Sequence, residues 1–226
     1  MLAAVAVTGM AQDAPMEFEQ FWWVFLVSGE TSDQFSGDQM QEMQTRHRAN
    51  LRRLWEEKKS IVAGPFDTKG PRRGIVLLKG AAFKDKDGVL AEFKNDPFVK
   101  NGLLKVQVFK WMTLKDAIHE VKDGAKMKQY VFVVYNRPKD RPDFDDAFSE
   151  RTQAAHLAYN FEMMEKHKLM IAGPFEDGGR MRGVLIFDRT DMDEVKKIVG
   201  ADPWVKAGGL EAEFLTLWAA QGAFGD

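Results

Sequence analysis

The stretch Ile61-Val62-Ala63-Gly64-Pro65-Phe66 returns, from position 61 to position 170, as Met170-Ile171-Ala172-Gly173-Pro174-Phe175. The same offset of 109 places His47 on His156 and Arg73-Gly74 on Arg182-Gly183. After a three-residue slip the correspondence resumes, with Asp96-Pro97-Phe98-Val99-Lys100 matching Asp202-Pro203-Trp204-Val205-Lys206 and Gly102 matching Gly208. A repeat of this length fixes the plan of the chain before any single element is assigned. At 226 residues each copy is long enough to bury a core of its own.

Each copy carries the same succession of patterns. Phe21 to Val27 and Tyr130 to Tyr135 are unbroken aromatic and β-branched runs, the signature of strands buried on both faces. Met40, Met43, Leu51 and Leu54 then recur at helical spacing with His47 on the same stripe, and Thr152, His156, Tyr159 and Met163 repeat the stripe, so both histidines point inward. Ile61 to Ala63 reads as a short strand that Gly64-Pro65 ends, because proline has no amide to donate. A loop follows, then strands from Gly74 to Lys79 and from Gly183 to Phe187. Asp191 caps a helix to Gly200, with a weaker twin at 86–94, and the Asp-Pro segments close these helices. Final strands run from Leu103 to about Met112 and from Leu210 to Trp218. The order is β-α-β-β-α-β twice, an α+β chain of two ferredoxin-like repeats. Helices cover only one face of such a sheet, so the bare faces are expected to pack sheet to sheet as an intrachain α/β barrel. The boundaries that follow are a leader or signal-peptide remnant at 1–18, a first repeat at 19–114, a charged connector at 115–128 that begins as a helix, a second repeat at 129–220 and a tail at 221–226.

Composition narrows the partners. A net charge of -2 gives no reason to expect nucleic acid or an anionic membrane surface, and no run beyond the leader is long and apolar enough to cross a bilayer. There is no cysteine, and His47, His119, His156 and His167 fall in no ligand spacing, so neither a metal nor a thiol nucleophile is expected. Leu2 to Ala11 is small and apolar ahead of Gln12-Asp13-Ala14-Pro15, like the end of an export signal, although no Lys or Arg precedes it. The chain is therefore expected to be exported, periplasmic or secreted, the alternative being cytoplasmic. A barrel completed within one chain is expected as a monomer (a pseudo-dimer) or as a homodimer.

The helix histidine, the Ala-Gly-Pro-Phe strand end and the Asp-Pro-Phe/Trp-Val-Lys-x-Gly segment, in that order in each half, resemble the YCII-related (YciI-like) family. The resemblance implies a ferredoxin-like unit of the kind that dimerises into an α/β barrel. It also implies an active-site pair, mapping onto His47 with Asp96 and onto His156 with Asp202. It points to a site more firmly than to a substrate; a relative of the family is a dehydrochlorinase of a chlorinated hydroxyquinol.

A histidine titrates at about 6.5, and a carboxylate on one ring nitrogen fixes the tautomer so that the other can exchange a proton. The reading is a small-molecule enzyme with His47 and His156 as general acid or base, oriented by Asp96 and Asp202. Its reaction is proton transfer of the isomerase or lyase type on a small, cyclic or aromatic substrate, with no cofactor required. Arg73 and Arg182 are the candidates for holding an anionic substrate, and Gly64, Pro65, Gly173 and Pro174 for a pocket wall. Each has a plainer reading: core histidines, Asp-Pro turns, solvated arginines, and glycines that admit the angles of a sharp turn. On those readings the chain is a non-catalytic ligand-binding or stress-associated domain, or an assembly module. His119 and His167 are expected at the surface.

Overall fold

The computed structural model describes residues 16–30, 35–68, 70–176 and 179–225. Most of the expected leader, through residue 15, and parts of the two expected loops after the Gly-Pro-Phe stretches lie outside the described residues. The first half runs β1 (Phe18–Ser28), α1 (Gly37–Glu56), β2 (Ser60–Pro65), β3 (Arg72–Lys79), α2 (Lys86–Phe93), α3 (Pro97–Lys100) and β4 (Leu104–Leu114). The second runs β5 (Met127–Asn136), α4 (Asp146–His167), β6 (Leu169–Pro174), β7 (Met181–Phe187), α5 (Met192–Gly200), α6 (Pro203–Lys206) and β8 (Glu211–Ala220). Their sheets have the same order, β2-β3-β1-β4 and β6-β7-β5-β8, with every neighbouring pair antiparallel.

The unbroken apolar runs follow from burial on two sides. Phe21, Trp23 and Phe25 of β1 and Tyr130, Phe132 and Val134 of β5 alternate into one shared interior. The intervening Trp22, Val24 and Leu26, and Val131, Val133 and Tyr135, face the helices of their own halves. The interior is filled by rings: Trp23 lies 4.9 Å from Trp111 and 5.7 Å from Phe132, and Phe66 lies 5.0 Å from Phe132.

Two seams close the barrel. Phe66 bridges Leu217, with the Asp67 amide donating to the Thr216 carbonyl at 2.9 Å. Trp111 bridges Phe175, with the Glu176 amide donating to the Lys110 carbonyl at 3.0 Å and the Thr113 hydroxyl to the Ala172 carbonyl at 2.9 Å. Among the described residues the edge strands of each sheet thus meet those of the other, β2 against β8 and β4 against β6, which shields edges that could template aggregation. The seams correct the reading of the glycines. Gly64 and Gly173 have no positive φ and turn no corner. A Cβ on Gly64 would sit 1.9 Å from the Trp218 carbonyl oxygen, and one on Gly173 would sit 2.0 Å from that of Met112. Glycine is required there because two backbones approach too closely for a side chain. β2 and β6 accordingly run on through their Gly-Pro pairs instead of ending before them.

At one end of the barrel the Arg72 guanidinium lies 4.7 Å above the Phe25 ring. Its Nε donates to Glu213 at 3.1 Å and its Nη2 to the Met181 sulfur at 3.3 Å. The connector contains no helix among its described residues, contrary to expectation. Its charges lack an apolar stripe, and Ile118 instead bridges Phe224 while the His119 amide donates to the Ala223 carbonyl at 3.0 Å. His119 and His167 are half-buried, not surface residues.

Candidate functional site

α1 begins with a reciprocal capping box, in which Ser36 Oγ accepts from the Gln39 amide and Gln39 Oε1 from the Ser36 amide. Its apolar stripe buries Met43, His47 and Leu54 against the outer face of the first sheet. Asp96 and Pro97 do not simply close α2. They start the short helix α3, with Asp96 as N-cap and proline at the first position, where a missing amide costs nothing. The cap and the pair to histidine are one carboxylate with two uses. Asp96 Oδ1 accepts from the Phe98 amide at 3.1 Å, and Oδ2 accepts from His47 Nδ1 at 2.8 Å. In the second half Asp202 Oδ1 accepts from the Trp204 amide at 2.8 Å, and Oδ2 from His156 Nδ1 at 2.7 Å. An ionised carboxylate only accepts, so Nδ1 carries a proton, and in the neutral form of each ring the lone pair lies on Nε2.

The surroundings of the two dyads differ. Asn50, one turn beyond His47, donates to Asp96 Oδ2 and to the Glu92 carbonyl, both at 3.3 Å. Its counterpart Tyr159 keeps only the second contact, donating to the Ile198 carbonyl at 2.9 Å. Asp202 is held instead by the Tyr135 hydroxyl at 3.1 Å, where the first half has Leu26. Asn160 donates through Nδ2 to His156 Nε2 at 3.2 Å, and its counterpart is Leu51. Nε2 of His47 makes no hydrogen bond with any described residue, and the Phe98 ring packs 5.2 Å from its imidazole.

Burial pushes the Asp96 carboxyl up, but bonds from His47, Asn50 and the Phe98 amide outweigh it and hold it below the ordinary carboxylate range. Because the folded value is depressed, Asp96 stabilises the fold above its unfolded value of about 3.9 and loses that contribution as pH falls through the folded value. Asp96→Asn is therefore expected to destabilise the protein at neutral pH and to flatten the acid limb of stability; urea midpoints measured from pH 7 to pH 2 check this. Tyr135 is driven well above its usual value by burial and by the Asp202 charge, so it stays protonated and donates.

The other expected site residues stand apart from the dyads. Arg73 and Arg182 are exposed, and Arg73 Nη1 donates to the Thr68 carbonyl at 3.1 Å. Gly64, Pro65, Gly173 and Pro174 belong to the seams. None of these six shares a hydrogen bond, ion pair or ring contact with either dyad among the described residues. A cleft of about 300 Å³ is walled by Arg46, Asn50, Asn95, Pro97, Lys100 and Asn101, sequence neighbours of His47 and Asp96; the dyad residues themselves are not among its walls, and Asn50 links the two by its bond to Asp96. A larger depression of about 530 Å³ at the start of β1 carries no histidine and is lined by Glu17, Phe18, Glu19, Lys115 and Asp116. Asn50, Asn160, Tyr135 and Arg72 were not singled out from the sequence. For Asn50 and Asn160 a signal existed, since residues three or four beyond a helical histidine share its face. Among the described residues no cluster of acidic and histidine side chains could hold a metal, and no helix is long and apolar enough to cross a membrane.

The fold and the sequence have relatives. No curated protein is significantly similar in sequence. A heme-binding protein from Thermus thermophilus superposes with a TM-score of 0.53 at 14% identity, over 91% of this chain and 93% of that one. A candidate chlorite dismutase does so at 0.52 and 10% identity over 89% and 94%, and a candidate monooxygenase from Fusobacterium nucleatum at 0.51 and 8% over 90% and 93%. At such identities the likeness is one of fold, the doubled ferredoxin-like barrel. The family model described as "YCII-related domain" matches residues 128–219, which contain β5 through β8, His156 and Asp202. Residues 128–219 are therefore similar to the YCII-related domain, and the first half of the chain sets the same fold in front of it.

Proposed function

We propose that this protein is a small-molecule enzyme that moves a proton with a His-Asp dyad, in a reaction of the isomerase or lyase type on a small cyclic or aromatic substrate. The observation that carries the reading is the buried carboxylate on Nδ1 of each imidazole, at 2.8 and 2.7 Å. That contact aims the basic lone pair at Nε2 and leaves a carboxylate to stabilise the imidazolium once it forms. Nε2 takes a proton from a carbon next to an activating group. The imidazolium then returns the proton at another carbon, which isomerises the substrate, or the new carbanion expels its leaving group, which completes an elimination. In both outcomes the base is regenerated by loss of that proton.

The sealed surroundings of His156 favour a second reading for that copy alone, as a structural pair within a ligand-binding fold. Heme binding belongs to the fold relative that carries it. A porphyrin needs a free imidazole nitrogen beside a wide apolar slot; His156 has both nitrogens engaged, and the cleft near His47, about 300 Å³ and walled mostly by polar side chains, has room for one ring and not for a macrocycle. The layers between helices and sheets are also filled, by Leu54, Val24 and Phe93 in one half and Met163, Val133 and Val199 in the other. The residues present do not fit that group.

The test is proton exchange in heavy water. A panel of small cyclic and aromatic acids and phenols is incubated with the protein and followed by proton NMR. Enzyme-dependent loss of a carbon-bound proton signal, or appearance of an elimination product, is expected for at least one compound. Exchange no faster than in buffer across the panel, for a protein that remains folded, overturns the reading.

A further inference from the structure

The two dyads occupy equivalent places, yet their chemistry is not equivalent, and we infer that the halves have divided their roles. His47-Asp96 is the working base beside a site for a small anionic ligand such as a carboxylate, and His156-Asp202 is a locked structural copy. This inference rests on the proposed proton transfer for its purpose, but not for its geometry.

Side-chain exposure does not separate the two rings, at 10% for His47 and 13% for His156. Hydrogen bonding does. The Asn160 amide occupies His156 Nε2, and Asn160 Oδ1 is covered with no partner, so that side chain is held only by the imidazole. Tyr135 adds a further bond to Asp202. In the first half Leu51 and Leu26 stand in these two places, and neither can hydrogen-bond the dyad through its side chain.

The walls differ in the same sense. Arg46, Asn50, Asn95 and Asn101 around the first cleft correspond to Ala155, Tyr159, Ala201 and Ala207, and only Pro97 and Lys100 find like residues, in Pro203 and Lys206. Two cations and three amides around about 300 Å³ suit a carboxylate of one ring in size. Arg46 is paired with Glu42 at 2.7 Å, but both side chains are largely exposed, and a pair of that kind exchanges readily for another anion. Asn50 joins cleft to dyad, because the side chain that walls the one also donates to Asp96. Position on the family match alone would have favoured His156, which lies within the matched residues, while His47 lies outside them.

The test is carbethoxylation of the folded full chain with diethyl pyrocarbonate, which attacks an imidazole nitrogen through its lone pair, with each histidine read by peptide mass spectrometry. His47 is expected to react about tenfold faster than His156, the size of effect that one hydrogen bond on the attacking nitrogen produces. Asn160→Leu is expected to raise the His156 rate toward that of His47. Sodium benzoate is expected to protect His47 but not His156, and Arg46→Ala with Lys100→Ala to abolish the protection. Equal rates, or a faster His156, overturn the division of roles; selective reaction of His47 without benzoate protection overturns the anion site. Neither result depends on turnover, so failure of the proposed catalysis shows separately, as a protein with the expected reactivity pattern and no proton exchange.

Discussion

Gly173→Ala is expected to destabilise the protein by about 3–5 kcal/mol, combining about 1–3 for overpacking with about 1 for each of two strained seam hydrogen bonds. The added Cβ would meet the Met112 carbonyl oxygen at 2.0 Å and Trp111 Cε2 at 2.6 Å. The first contact is with backbone and the second with a fully buried ring, so neither can yield cheaply. The seam must open, carrying with it the bonds from Glu176 to Lys110 and from Thr113 to Ala172. For a chain of this size the melting temperature should fall by roughly 10 °C. Gly200→Ala, at the end of α5 with nothing within 4 Å of the new methyl, is the control and should be neutral or mildly stabilising. A Gly173→Ala protein that melts within two or so degrees of the parent would show that the seam is looser than described.

His47→Asn is expected to lower turnover by about 10²–10⁴-fold, the usual contribution of a positioned general base. Asparagine is chosen because its amide nitrogen falls near the place of Nδ1 and can still donate to Asp96 Oδ2, while the atom that would take the proton is gone. The carboxylate thus keeps a partner alongside Asn50 and the Phe98 amide. The melting temperature should stay within a few degrees of the parent, which separates this outcome from a core defect. His156→Asn, with the same substitution in the locked copy, should leave turnover within about threefold, a change worth less than one hydrogen bond. Rates measured by heavy-water exchange decide between them. A His47→Asn protein with parental exchange would remove this imidazole from the chemistry.

How much of this was open to a reader of the sequence depended on whether the relevant force acts within one repeat or between two. The strand order and the His-Asp pairing repeat at fixed offsets, and helical periodicity alone turns both histidines inward. The double use of Asp96 was not visible: the Asp-Pro turn and the partner to histidine stood as alternatives in the sequence, and the N-cap of α3, which lets one carboxylate do both, appears only in the fold. The purpose of Gly64 and Gly173 was not visible, because the clash that forbids a side chain comes from Trp218 and Met112 of the opposite half. The connector misled for a related reason. Its charges suggest a solvated helix, but Ile118 is drawn into a bridge with Phe224, more than a hundred residues away. The asymmetry of the dyads lay in single side chains, Asn50, Tyr135 and Asn160, which perturb no periodic pattern.

Arg72 and Met181 stand 109 positions apart, the interval that relates the two repeats, and the guanidinium of one touches the sulfur of the other. They meet, in other words, on the local dyad axis. In an assembly of two identical subunits any residue at such a place faces its own duplicate, so an arginine would confront an arginine and gain nothing from the encounter. Joining the subunits end to end lifts that restriction. A fused pair can set a cation against a soft, neutral thioether where two identical subunits could not, and this contact marks the chain as one that no longer obeys the equivalence its architecture imitates.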